Sequence, residues 1–310
     1  MRTKLLVLLS IKIAAQAIIA SQITISDLSI KSARTYSNIT TQAILSAEIK
    51  AVYTAEDQKI FYSYLSYISD VETSNPKELL EKSALFFLDK PYVANTLENE
   101  GEETLVVNLR EFDCTTFVET VIALTQTIIS NNPSFDNFLN KLQLLRYREG
   151  MINGYSSRLH YMTDWFYDNE KNGVLKNISG ELGGVTEVKK INFMSQHRNA
   201  YKHLKLNDEN LNEIIGFENR INGRNGFMYL PKENIPITAP LIPHMSIIAF
   251  TTNINGLDVT HTGFAFKDDG ELTFIHASTL TDKVVIDEKS LNEYCDSQIN
   301  CTGIIVAKVL

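Results

Sequence analysis

Residues 110–129, REFDCTTFVETVIALTQTII, constrain this chain more than any other stretch. A short apolar run, LVVNL at 105–109, approaches Cys114 from the N-terminal side. Beyond it Phe117, Val118, Val121, Leu124, Thr125 and Ile128 recur at helical spacing, so a helix is predicted to begin near residue 115. Thr116 to Glu119 fits a capping box, and Asp113 offers a cap one turn earlier. Either choice leaves Cys114 at the helix N-terminus, among free backbone N–H groups and the positive end of the dipole. That setting favours the thiolate, the reactive form of cysteine. A small buried core cysteine is the competing reading, because cysteine is among the most buried residue types.

The rest of the composition narrows the surroundings of that thiol. The 310 residues are 44% hydrophobic and 21% charged with a formal net charge of -8, an ordinary globular balance. No basic tract or stripe is present, which argues against a nucleic-acid partner. The first residues, MRTKLLVLLSIKIAAQAIIASQ, carry Arg2 and Lys4, then an apolar run, then small residues near Ala20 and Ser21. This is the pattern of a secretory signal over residues 1–21, with 22–310 as a single domain and a periplasmic or secreted destination. The run is too short, and too interrupted by Lys12, for stable membrane insertion. In an exported chain Cys295 and Cys301 could pair as a disulfide, leaving Cys114 as the odd thiol. Neither CxxC nor HExxH occurs, so no metal and no other cofactor is implied.

The chain order is helices first, strands after. Helices are predicted over residues 55–70, 75–88 and 134–145, the second opened by Pro76 and closed before Pro91. Residues 146–166, RYREGMINGYSSRLHYMTDWF, are dense in Arg, Tyr, His and Trp without a clear period, and read as a recognition loop rather than core. From Gly226 short β runs follow at 227–230, 246–251, 260–267, 272–277, 283–287 and 303–309. Helices packed on a C-terminal antiparallel sheet or barrel make the fold class α+β.

Two of those runs form a hairpin. If its loop is the four residues 267–270, His261 lies directly opposite His276, with Cβ atoms about 4.5–5.5 Å apart. Two imidazoles so placed share a hydrogen bond, and one orients the other. With Cys114 in reach they make a nucleophile, a base and an orienting group. The backbone N–H of Cys114 would meet the developing oxyanion, with Tyr92 as a second donor.

These pieces resemble the papain-like NlpC-type cysteine peptidases, and more specifically their N-acetylmuramoyl-L-alanine amidase-like branch. The resemblance rests on Lys90-Pro-Tyr92-Val, Phe112-Asp-Cys-Thr-Thr-Phe-Val-Glu119, Arg146-Tyr-Arg148, Ser157-Arg-Leu-His-Tyr161 with Asp164-Trp165, Leu257-Asp-Val-Thr-His-Thr-Gly263 and His276-Ala-Ser278. It spans roughly residues 75–310. It implies a papain-like fold and a cysteine amidase cutting between N-acetylmuramic acid and L-alanine in muropeptides. By the same motifs Cys114, His261 and His276 are the expected triad, and Tyr92, Arg158, His160 and Tyr161 the expected cleft. Arg146, Arg148 and Arg158 would meet muropeptide carboxylates. One departure stands out: Met245-Ser246 occupies the place of an expected Gly-Asp. Two other readings stay open, an endopeptidase cutting within the peptide stem and a non-catalytic wall-binding module.

Overall fold

The helix that begins at Cys114 is the axis of the helical half. The structure is a computed structural model that describes residues 49–310 except Thr73, Glu100 and Asp269. The secretory segment read at 1–21 lies outside the described residues. Among them, no helix is long and apolar enough to cross a membrane.

Helix α1 (Ala55–Tyr67) starts at a capping box made by Thr54 and Asp57, and α2 (Pro76–Leu85) starts at Asn75 with Pro76 in its first turn. Strands β1 (Ala51–Val52) and β2 (Leu105–Val106) pair in parallel, so only the first two residues of the 105–109 run are strand. Helix α3 (Cys114–Ile129) takes Asp113 as its N-cap, in a capping box with Thr116. Glu119, the other candidate box partner, is buried elsewhere. Helix α3 is buried along most of its circumference, between α2, α4 (Phe135–Arg146) and the sheet. Helix α5 (Met162–Lys171) closes that side.

Strands β3 (Leu175–Asn177) and β4 (Val185–Glu187), helix α6 (Asp208–Asn222) and strand β5 (Phe227–Pro231) lead into the sheet proper. Then come β6 (Ile247–Thr252), β7 (Val259–Asp268), β8 (Glu271–Ser278), β9 (Lys283–Ile286), α7 (Leu291–Ser297) and β10 (Cys301–Val309). The order is β4-β5-β10-β6-β7-β8-β9, with β3 also on β10, and every pair in it is antiparallel. The helices-then-sheet order of an α+β chain is what the structure has. Cys295 and Cys301 form a disulfide, and Cys114 is free.

Met245 adopts φ +62°, the left-handed conformation that glycine takes without strain. A non-glycine residue there costs about 1–2 kcal/mol. The Met245 side chain is buried, which offsets that cost by a comparable amount. The turn survives the departure: Met245 N–H reaches the Ala265 carbonyl and Ala265 N–H the Ser246 carbonyl, both at 2.7 Å.

Candidate active site

A run of edge-on aromatic pairs sets Cys114 against the sheet. Phe87 meets Phe112 at 4.8 Å, Phe112 meets Phe117 at 6.1 Å, and Phe117 meets Phe264 of β7 at 6.0 Å between ring centroids. All four rings are fully buried, a contribution of about 1.5–3 kcal/mol each. In the chain Cys114 falls between Phe112 and Phe117, as the first residue of α3. Its thiol lies against the backbone of Thr262, the neighbour of His261. Burial, and secondarily the charge of Asp113, push that thiol up to about 12. The thiolate expected from a helix N-terminus is therefore not the resting form. A terminal dipole contributes only about 0.3–1 kcal/mol, less than the desolvation of a buried anion.

The hairpin register differs from the predicted one. Strands β7 and β8 pair from Asp268 with Glu271 through Phe264 with Ile275, leaving two residues between them rather than four. Continued one step, that register sets Gly263, not His261, opposite His276. The slip is two residues, so both histidines keep one face, as a diagonal pair. A Cβ on Gly263 would come within 2.9 Å of the His276 Cβ and 2.6 Å of the Ile275 carbonyl, so glycine there is what lets the imidazole lie across the strand. His261 Nε2 and His276 Nδ1 are 2.6 Å apart.

A third member was not read from the sequence. Asp287 follows the end of β9 and pairs through its N–H with the Phe274 carbonyl, one diagonal step further across the sheet. Its Oδ2 lies 3.1 Å from His276 Nε2. Burial works to raise this carboxyl, but the hydrogen bonds from His276 and the Lys289 backbone hold it below its ordinary range. An ionised carboxylate only accepts, so His276 donates through Nε2 and accepts through Nδ1. His261 must then donate through Nε2, which leaves the lone pair on its Nδ1. Burial, with the charge of His276, pushes His261 down to about 3, so that lone pair is free at neutral pH. The usable signal was the alternation of Lys283-Val-Val-Ile-Asp287, which sets Asp287 on the face of Val285, the residue opposite His276.

Of the expected cleft residues, Tyr92 is the one near the thiol. Residues 91–93 are bonded on one side to Phe112 and on the other to Asp282. Burial, then the nearness of Cys114 and Asp113, push the Tyr92 phenol up to about 12, so it remains a donor. The other three are committed to internal partners. Arg158 is buried and gives Nε and Nη2 to Glu103, both at 3.0 Å, and Nη1 to Glu98 at 3.2 Å. His160 Nε2 bonds the Tyr155 carbonyl at 2.9 Å. Tyr161 donates to Glu218 and accepts from the Met194 N–H, each at 2.8 Å. Arg146 is likewise buried on Glu119, which also accepts from Trp165 Nε1. Much of the 146–166 segment is therefore core: its long polar-tipped side chains reach carboxylates from other elements instead of solvent.

Two outcomes follow. Arg158→Ala leaves the buried Glu103 carboxylate without its cationic partner, with only the Tyr147 hydroxyl donating to it, and is expected to destabilise the fold by about 3–5 kcal/mol in chemical denaturation, an effect on folding more than on KM. Second, burial also pushes His160 down to about 3. Both His160 and His261 stay neutral when folded but protonate near 6.5 when unfolded. Their contribution is complete above about pH 6.5 and is lost as pH falls from there toward about 3. Each adds a slope of up to about 1.4 kcal/mol per pH unit. Denaturation at pH 6 and 4.5, above the main carboxylate range, should show the fall, and His160→Gln should flatten it. Equal stability at the two pH values would contradict the assignment.

The chain is similar to proteins already known. Residues 82–304 match the model of a family described as AmiA-like, N-acetylmuramoyl-L-alanine amidase-like. Two crystal structures of an N-acetylmuramoyl-L-alanine amidase from Bacteroides uniformis superpose with TM-scores of 0.70 and 0.69 at 40% and 38% identity. They cover 75% and 76% of this chain and 99% and 98% of theirs. A Legionella pneumophila protein at 21% identity, TM-score 0.64, covering 82% of this chain and 94% of its own, shares the fold. Among curated proteins none matches. The family match spans well over half of the chain and includes Cys114, both histidines and Asp287, and the chain belongs to the AmiA-like, N-acetylmuramoyl-L-alanine amidase-like family.

Proposed function

We propose that the chain is a cysteine amidase of papain-like, NlpC-type architecture, acting outside the cytoplasm on peptidoglycan fragments. It cuts the amide between the lactyl carbonyl of N-acetylmuramic acid and the nitrogen of L-alanine. The observation that carries the reading is the hydrogen-bonded series His261–His276–Asp287, beside a thiol that lies against the backbone of Thr262.

In this reading both Cys114 and His261 rest neutral. His261 Nδ1 takes the thiol proton as sulfur attacks the carbonyl carbon, and His276 and Asp287 stabilise the imidazolium that forms. The backbone N–H of Cys114, free at the first turn of α3, and the Tyr92 hydroxyl meet the oxyanion. Collapse breaks the C–N bond, and the alanine nitrogen leaves with the proton from His261. Water, deprotonated by His261, then hydrolyses the thioester, giving a muramic acid carboxylate and a free peptide amine. Mass spectrometry of a digest of defined muropeptides tests the reading. Intact stem peptide with free sugar supports it, and fragments cut within the stem indicate the endopeptidase instead.

A further inference from the structure

We propose that Tyr294 is a positioning residue that holds the His261 ring in register with Cys114, and that the Cys295–Cys301 disulfide holds Tyr294. The proposal rests on the reading of Cys114, His261 and His276 as the catalytic set. Its support lies in the aromatic packing around the two imidazoles. Tyr294 sits on α7 with its ring centroid 5.9 Å from His261 and 5.8 Å from His276. It also meets Phe274 at 4.6 Å and Phe250 at 4.8 Å, and Phe274 in turn stacks on His276 at 4.1 Å. His261 has one hydrogen bond to His276, and a single bond to Nε2 does not by itself stop the ring from turning about Cβ–Cγ. The stacked Phe250 ring at 6.2 Å and the tilted Tyr294 ring provide the remaining walls. Burial, and then the charge of Asp287, keep the Tyr294 phenol protonated.

Helix α7 has seven residues, too few to be stable alone. Ser290 and Glu293 cap it, and Cys295 ties its last turn to Cys301. Cys301 opens β10 opposite Thr252 of β6, the strand that carries Phe250. The disulfide is buried and adjacent in sequence to Tyr294, so the covalent link and the aromatic wall form one unit.

The test compares Tyr294→Phe, which keeps the ring, with Tyr294→Leu, which keeps apolar volume without a flat face. A Cys295→Ala/Cys301→Ala double variant probes the link. Imidazole nitrogen NMR reads the His261 tautomer without needing turnover, and muropeptide kinetics read kcat and KM. Tyr294→Phe should keep one His261 tautomer and near-native kcat. Tyr294→Leu should show mixed tautomers and a kcat lower by about tenfold or more at unchanged KM, and the double variant a weaker form of both changes. An unchanged tautomer and kcat in Tyr294→Leu overturns the proposal. So does a Tyr294→Phe variant as impaired as Tyr294→Leu, since the hydroxyl and not the ring would then be the active part. Mixed tautomers in Tyr294→Leu, with no muropeptide cleaved even by the unaltered chain, would leave the positioning role standing and remove the amidase reading.

Discussion

Cys114→Ala is expected to lower muropeptide turnover by about 10⁴-fold or more while leaving muropeptide binding within about twofold. In the proposed mechanism the sulfur forms the covalent intermediate, and the other two cysteines of the sequence are paired with each other. Removing it deletes a half-buried side chain at the first position of α3, where the cap is made by Asp113 and Thr116 rather than by Cys114. The helix should therefore still form. Loss of binding in parallel with loss of turnover would show that the variant has misfolded or that Cys114 is only a packing residue. Calorimetric titration of the variant with intact muropeptide separates the two.

His276→Ala is expected to have the second largest effect, a fall in kcat of about 10²–10⁴-fold with KM little changed. The substitution leaves His261 Nε2 without the acceptor at 2.6 Å and lets the neutral imidazole place its proton on Nδ1, which then cannot act as base. It also exposes Asp287 to an empty site. Asp287→Ala should fall by a smaller factor, about 10–100-fold, because it removes only the group that orients His276. A graded series, His276 above Asp287, is the signature of the relay. Equal and small effects from both would indicate that His261 works without them.

The features legible from sequence were those set by local periodicity. The 3.6-residue recurrence in 117–128 fixed α3 and put Cys114 at its start, and period-two alternation found each of the six later strands within about two residues. The parity of the hairpin was legible, which kept both histidines on one face, but its loop length was not. A loop of four or of two residues gives the same parity, and only the pairing of Asp268 with Glu271 decides between them. What escaped was long-range pairing. Arg146 and Arg158 lie in a stretch with no period, and their partners Glu119, Glu98 and Glu103 are dozens of residues away. Nothing local says that those guanidinium groups are already satisfied. Asp287 was missed for a related reason: its role depends on the register of β9 against β8, set by the turn after Ser278. The thiol was misjudged because the helix terminus is visible in the sequence and the burial that outweighs it is not.

The central claim is that this chain hydrolyses the bond between muramic acid and alanine through Cys114. Incubation of the unaltered protein and the Cys114→Ala variant with one defined muropeptide, followed by mass spectrometry, tests it most directly. The account predicts free sugar and uncut stem peptide from the first, and intact substrate from the second. Cleavage by both proteins, or cleavage within the stem by the first, would contradict it.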